Sequence, residues 1–565
     1  VESFWTGAVA DVRGSWVRPA SLRGLFAVPL MVAIVLGITS VGAAPVLAQS
    51  APSAAASPPG TGLAWGDNAD DQLGDGTTTN SSTPVPVDLP AGTTITAVAA
   101  GQGHSLAVTS TGTMLAWGAN SSGQLGDGTT TTSNTPVAVD LPADTTITAV
   151  AAGDRHSLAL TSTGTVLAWG LNLTGQLGDG TTTSSNTPVS VNLPASTTIT
   201  AVAAGNVHSL ALTSTGTMLA WGANLTGQLG DGTTTNSSTP VAVDLPANTT
   251  ITAVAASSSG HSLAVTSTGT MLAWGANFTG QLGDGTTTNS SIPVAVDLPA
   301  NTTITAVAAG AGHSLAVTST GTMLAWGGNG SGQLGDGSTT TSSTPVAVSL
   351  PADTTITAVA AGAGHSLAVT STGTMLAWGF NASGQLGDGT TTNSNTPIAV
   401  NLPADTTITA ITGGSFHSLA IVPSESTTTL QVSAPNPTPD QPVTLTATVT
   451  CTSSAPTGTV TFLDGTTTLD TKPLSGNPTA TATLTVTHLT AGTHPIQARY
   501  NGDSNCPAST SNSTTVTVPA PTAAEPTIPV TGTSLPTILT AGILLTLTGA
   551  ALTLATHRRR PTHRT

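Results

Sequence analysis

The stretch "GHSLAVTSTGTMLAWGANSSGQLGDGTTT", residues 103–131, decides the fold of this 565-residue chain. It recurs with small edits, so that Trp65, Trp117, Trp169, Trp221, Trp274, Trp326 and Trp378 follow one another at intervals of 52, 52, 52, 53, 52 and 52 residues. His104, His156, His208, His261, His313, His365 and His417 keep the same spacing, and the single extra residue falls in "SSSG" ahead of His261. A fixed period near fifty marks a propeller or a solenoid. Each period holds four short apolar stretches, for example "TITAVAA", "HSLAVTS", "TMLAWGA" and "TPVAVDLP", separated by Gly, Ser, Asn or Pro turns. Four strands per period make one propeller blade.

The ends of the array separate an open stack from a ring. It begins in mid-repeat with "GLAWGDNADDQLGDG" at 62–76 and finishes with the missing half, "TITAITGGSFHSLAIV", at 407–422. Together the halves complete one blade, so residues 61–423 are predicted to close as a seven-bladed propeller, which removes the open sheet edges of a linear array. Composition agrees with an all-β chain: only 6% of residues are charged, the helix formers Lys, Glu and Gln are scarce, and Thr, Val, Ala and Gly abound. A hydrophobic content of 38% and a mean hydropathy of +0.21 supply ample core material.

With the repeat laid out, the segments GxxHSLA, LAWG and N-x-x-GQLGDG resemble the regulator of chromosome condensation repeat family, and the resemblance implies a seven-bladed propeller. A second module at 426–518 shows alternating runs such as "VTLTATVT", "TGTVTFLDG" and "HPIQARY" that read as about seven antiparallel strands of an immunoglobulin-like sandwich. Its pieces "TGTVTFLDGTTTL" and "LTAGTHPIQARYNGD" resemble bacterial Ig-like repeats. Cys451 and Cys506 are the only cysteines in the chain and are expected to pair. Closing a loop of that length stabilises a domain by roughly 4 kcal/mol on the chain-entropy model.

Both ends carry targeting patterns. Arg13, Arg18 and Arg23 precede the apolar run "LFAVPLMVAIVLGITSVGAAPVLA", which reads as a signal peptide over 1–48 with a long basic leader and a linker at 49–60. The alternative is a retained signal anchor. At the far end, Ile528, Pro529, Val530, Thr531 and Gly532 lie in a linker at 519–534, followed by 22 uncharged residues over 535–556 and a basic tail at 557–565 with Arg558, Arg559 and Arg560. This order predicts a C-terminal transmembrane helix with a cytoplasmic tail. It also resembles the cell-wall sorting signal of Gram-positive surface proteins, in which a sortase cuts after the Thr of LPxTG and joins it to peptidoglycan. Ile528 stands where that pattern has Leu, and a plain membrane anchor is the alternative.

The repeated residues are read as framework. Each His opens an apolar strand, where an imidazole can bond a backbone carbonyl on one side and accept from a donor on the other. Each Trp is expected to pack between blades, at about 4–6 kcal/mol gross from roughly 150–250 Å² buried. Asp75, Asp127, Asp179, Asp231, Asp284, Asp336 and Asp388 are expected to cap backbone amides in "LGDGTT", since one carboxylate per loop is a poor calcium cage. The N-x-S/T sequons at Asn120 and Asn172 are read as turn composition. No catalytic, cofactor-binding or metal-ligating residue is assigned, because near-identical blades offer little of the asymmetry that a catalytic site needs.

Charge narrows the function further. Between Thr61 and Pro423 there are eighteen Asp, no Glu, no Lys and one Arg, Arg155, a net charge of −17. Such a surface repels nucleic acid. The family resemblance also brings nucleotide exchange on a small GTPase into view, which export argues against. The reading is therefore a non-enzymatic, envelope-anchored surface protein whose propeller binds an external protein or glycan. The alternatives are a secreted enzyme-inhibitor type of propeller, since a secreted β-lactamase inhibitory protein shares this architecture, and a propeller hydrolase or lyase.

Overall fold

The computed structural model describes residues 59–522 apart from positions 405 and 477. The signal-peptide region 1–48, the sorting-like motif 528–532, the apolar span 535–556 and the basic tail 557–565 lie outside the described residues, which are strands and loops with no helix among them. Contacts divide the chain into two units: the first runs to Ser426 and takes in the short segments 450–456 and 502–508, and the second holds the rest.

The first unit contains seven four-stranded antiparallel blades. In one of them, Ile95–Ala100, His104–Thr109, Met114–Gly118 and Ser133–Ala138 pair in sequence order from the innermost strand to the outermost. The third strand, "MLAWG", is buried at every position, and the outermost, "SNTPVA", is half-buried and carries the Pro that discourages further edge pairing.

The closing blade is assembled from both ends of the array. Ala410–Gly413 and His417–Pro423 supply its inner half, while Gly60–Gly66 and Ser81–Pro86 supply the outer half. Seven consecutive pairs join the halves, from Gly60 opposite Pro423 to Gly66 opposite His417. The strand thus begins at Gly60, inside the stretch read from sequence as linker, because its partner runs to Pro423 and gives that backbone a ladder to join. The innermost strand of each blade neighbours that of the next, and Ala410–Gly413 neighbours Ile95–Ala100, so the circuit is closed.

Packing between blades is a repeated wedge. Trp169, fully buried, sits with Met114, Leu125 and Val139 of the preceding blade and with Ile147 of its own, and Trp65 sits likewise with Met375, Leu386 and Val400 of the preceding blade and Ile408 of its own. Glycine makes room for the indole. Gly126 has φ +71°, and a Cβ there would lie 2.7 Å from the Trp169 indole nitrogen, so any side chain would meet both backbone strain and the ring.

The second module forms two facing sheets. Ser426–Val432, Val443–Cys451 and Ala480–Val486 make one; Thr459–Asp464, Thr467–Pro473, Gly492–Tyr500, Ser509–Thr510 and Thr514–Val518 make the other. Alternate residues of Val443–Cys451 are buried, and Val443, Leu445, Ala447 and Val449 share the core with Val460, Phe462, Ile496 and Tyr500. That is eight strands where sequence alone predicts about seven, the extra one being the two-residue Ser509–Thr510. Cys451 and Cys506 form a disulfide with Cα atoms 6.0 Å apart.

Closure by shared strands makes the ring cooperative. Deleting residues 407–422 leaves Gly60–Gly66 without the inner of its two ladders and Trp65 partly uncovered, and should lower and broaden the thermal transition of the whole propeller, not of one blade. Calorimetry checks this; a truncated array that melts as sharply and as high as the intact one contradicts it.

Candidate binding face

The repeated His, Ser, Gln and Trp residues meet at every blade junction. The main-chain carbonyl oxygen of Gln124 accepts from the Trp169 indole nitrogen at 2.9 Å and from the Ser157 hydroxyl at 2.8 Å, both in the next blade. Ser157 in turn lies 3.0 Å from His104 Nε2. Because a carbonyl oxygen can only accept, the serine proton points to it and the serine oxygen accepts from Nε2–H. This assigns the histidine tautomer.

The same clamp turns through the ring: His156 with Ser209, His208 with Ser262, His261 with Ser314, His313 with Ser366, His365 with Ser418, and His417 with Ser105. Trp65 closes it on the Gln385 carbonyl. Thus each histidine is fully buried and pairs with a hydroxyl of the neighbouring blade, where the sequence led us to expect a carbonyl partner. All seven Nδ1 atoms lack a hydrogen-bond partner. Nδ1 faces the glycine three residues earlier, as Gly101 does for His104, and that tight contact leaves no space for a donor. In the blade with the extra residue, Ser257 replaces this glycine, and its hydroxyl accepts from the His261 amide at 2.9 Å.

Burial holds these imidazoles neutral: His104, His208 and His313 are lowered to about 4, and His156, His261, His365 and His417 to about 3, the latter four also by neighbouring histidines.

Asn and Asp form a second internal device in the long loop between the third and fourth strands. Asn120 is fully buried; its Nδ2 donates to Asp127 Oδ1 at 3.2 Å, and its Oδ1 accepts from the Leu125 amide at 2.9 Å. Asp127 Oδ1 also accepts from the Thr129 amide at 3.0 Å. Asn172 and Asp179 repeat the pattern. A sequon asparagine held this way presents no free amide for a glycan.

With these groups consumed by the framework, chemical variety is left to the loops of one face. Antiparallel order places the short loop of 101–103 and the long loop of 119–132 at the same end of a blade, and the Ala119 amide bonds the Gly103 carbonyl at 2.7 Å. Column by column, the repeats differ most here. The residue after the buried Asn is Ala69, Ser121, Leu173, Leu225, Phe278, Gly330 and Ala382 in turn, and the short loop carries Asp154 and Arg155 in one blade and Phe416 in another. Leu173, Leu225 and Phe278 are 72%, 78% and 70% exposed, and Phe416 packs edge-on to Phe380.

A central cavity of about 110 Å³ opens among the innermost strands, lined by Val98, Val150, Val202, small residues and Asp154. Burial raises the Asp154 carboxyl to about 6, against the opposing pull of Arg155. The exposed tips escape a reading of the sequence motif by motif, since each sits inside a sequon that looks like turn filler; superposing the repeats reveals them.

Residues 61–420 match the RCC1-like domain family and residues 428–519 the bacterial Ig-like domain (group 3) family. The chain belongs to the RCC1-like family. It is similar to the ultraviolet-B receptor UVR8 of Arabidopsis thaliana, 33% identical over 233 residues that make up 41% of this chain and 53% of that protein. It also resembles the E3 ubiquitin-protein ligase HERC2 of Homo sapiens, 34% identical over 236 residues, 41% of this chain and 5% of HERC2. The chain therefore spans about half the length of UVR8 and a small part of HERC2. Two solved structures share the fold: human WBSCR16, with TM-score 0.59 and 24% identity over 64% of this chain and 99% of that one, and Prp20p of Saccharomyces cerevisiae, with TM-score 0.59 and 24% identity over 66% and 93%.

The buried histidines make the ring acid-labile. A histidine whose folded value lies below its unfolded value of about 6.5 binds fewer protons folded than unfolded, so stability falls as pH drops from 6.5 towards 4. Each histidine contributes a loss on the order of 2 kcal/mol by pH 5. The melting temperature should drop steeply across this window, with a slope approaching seven protons that His156→Gln reduces by about one. A melting temperature that stays flat from pH 6.5 to 4.5 contradicts the clamp.

Proposed function

We propose that this protein is a non-enzymatic binding protein, exported and held at a Gram-positive type of envelope, whose propeller presents its loop face to an external protein or glycan. One observation carries the reading. The polar side chains that recur in every blade are engaged in blade junctions and turns, and the largest differences between blades, in size and in polarity, lie on one face. A framework of identical units with variable loops at one end suits recognition, since rigid scaffolds displaying loops are the common plan of binding proteins. The propeller charge of −17 argues against nucleic acid and against a cytoplasmic partner that relies on acidic contacts.

The envelope part rests on the sequence of the two ends. The basic leader and apolar run supply export, and Ile528–Gly532, the apolar span and Arg558–Arg560 supply the tether, with the Ig-like module as a spacer ahead of it. Membership in the RCC1-like family fixes the propeller and leaves its partner open, because propellers serve unrelated activities.

Cell fractionation tests the tether. Wild-type protein should stay with peptidoglycan until muramidase treatment, Thr531→Ala should move to the detergent-extractable fraction, and removal of 526–565 should release the chain to the medium. Wild-type protein extracted entirely by detergent contradicts covalent attachment. For the propeller, purified protein should show saturable binding to envelope or host fractions without changing them; turnover of cell-wall glycans would place the function among enzymes.

A further inference from the structure

The three large exposed tips of the loop face occupy consecutive blades. Leu173, Leu225 and Phe278 hold the same repeat position, each directly after a fully buried asparagine. The loops beneath them are braced differently from the others. Thr174, Thr226 and Thr279 each donate their hydroxyl to the side-chain carbonyl of Gln176, Gln228 and Gln281 at 2.8 Å. Each hydroxyl also reaches the short loop of the next blade, at Val207 O (3.3 Å), Gly260 O (3.4 Å) and Gly312 O (2.9 Å). Where the tip is Ser121, Gly330 or Ala382, the following residue is Ser122, Ser331 or Ser383, and its bond to the glutamine side chain is made by the backbone amide alone. Bulky apolar tips and cross-blade bracing therefore occur together, in three adjacent blades out of seven.

Exposed leucine and phenylalanine held rigidly in an arc lose little conformational freedom when covered, which is the condition for an efficient binding surface. Charge selects the occupant. Each tip shares its loop with an aspartate, Asp179, Asp231 or Asp284, and Arg155, the only cationic side chain of the propeller, is offset by Asp154 beside it. A second copy of this acidic face would be repelled, as would an anionic lipid surface. We propose that the arc of Leu173, Leu225 and Phe278 is the docking site for a separate protein that offers an apolar segment flanked by lysine or arginine. The proposal rests on the binding function above and names the site and the chemistry of its partner.

A phage-displayed library of random peptides, selected on the purified full chain, tests it. Enriched peptides should combine apolar residues with an excess of Lys and Arg, and their affinity should fall as salt is raised. The triple variant Leu173→Ser, Leu225→Ser, Phe278→Ser should bind them at least tenfold more weakly with an unchanged melting temperature, as befits exposed positions. Thr279→Val, which keeps the tip and removes the brace, should weaken binding severalfold, an effect that contact with the tip alone does not predict.

Neutral or acidic peptides, or an affinity indifferent to the triple variant, overturn the proposal. So does arc-dependent binding to phosphatidylglycerol vesicles, or an arc-dependent dimer in sedimentation. Peptides lost with Phe416→Ser but kept by the triple variant overturn the arc and leave the binding function standing. A selection that enriches nothing counts against both.

Discussion

The structure depends on one main-chain carbonyl per blade, that of the Gln in "GQLGDG" or "DQLGDG". It accepts from the indole and the serine hydroxyl of the next blade, and that serine accepts from the histidine of the blade that supplies the carbonyl. Two donors on one oxygen fix a large apolar wedge and a polar link at the same place, so a blade cannot rotate against its neighbour without losing both. Such a network is stabilising only when it is completed, since a buried donor left without its acceptor costs about 1–3 kcal/mol. The ring completes it seven times, with Gln385 and Trp65 brought together from positions 320 residues apart.

This explains why the repeats are so alike. A position engaged in the clamp must carry the same residue in every blade, because its partners in both neighbours are the same. The buried Asn and its Asp extend the rule to the long loop, which folds on itself before it meets solvent. What remains free is the residue after the Asn and the short loop above the cavity, and there the blades diverge. Stability and recognition are thus assigned to different columns of one repeat.

Much of the fold was legible in the sequence because it is written as periodicity. The spacing of Trp and His gave the blade, and the half-repeats at 62–76 and 407–422 gave the closure. The Asp of "LGDG" was legible as a turn former for the same local reason. The hydrogen-bond partner of each histidine was not, since the serine it meets lies 53 or 54 residues ahead, or across the chain ends for His417, and only the ring brings them together. The apolar arc escaped for another reason: a period search averages the repeats, and Leu173, Leu225 and Phe278 are visible only as departures from the average.

The central claim is that a closed ring of neutral histidines, each donating from Nε2, locks the blades. Histidine tautomers can be read directly from long-range nitrogen–proton correlation spectra of the full chain labelled with ¹⁵N-histidine. The account predicts that the seven propeller histidines share the neutral Nε2–H pattern at pH 7 and keep it at pH 5.5, a full unit below the ordinary histidine value. Propeller histidines that titrate near 6.5, or that carry the proton on Nδ1, would contradict it.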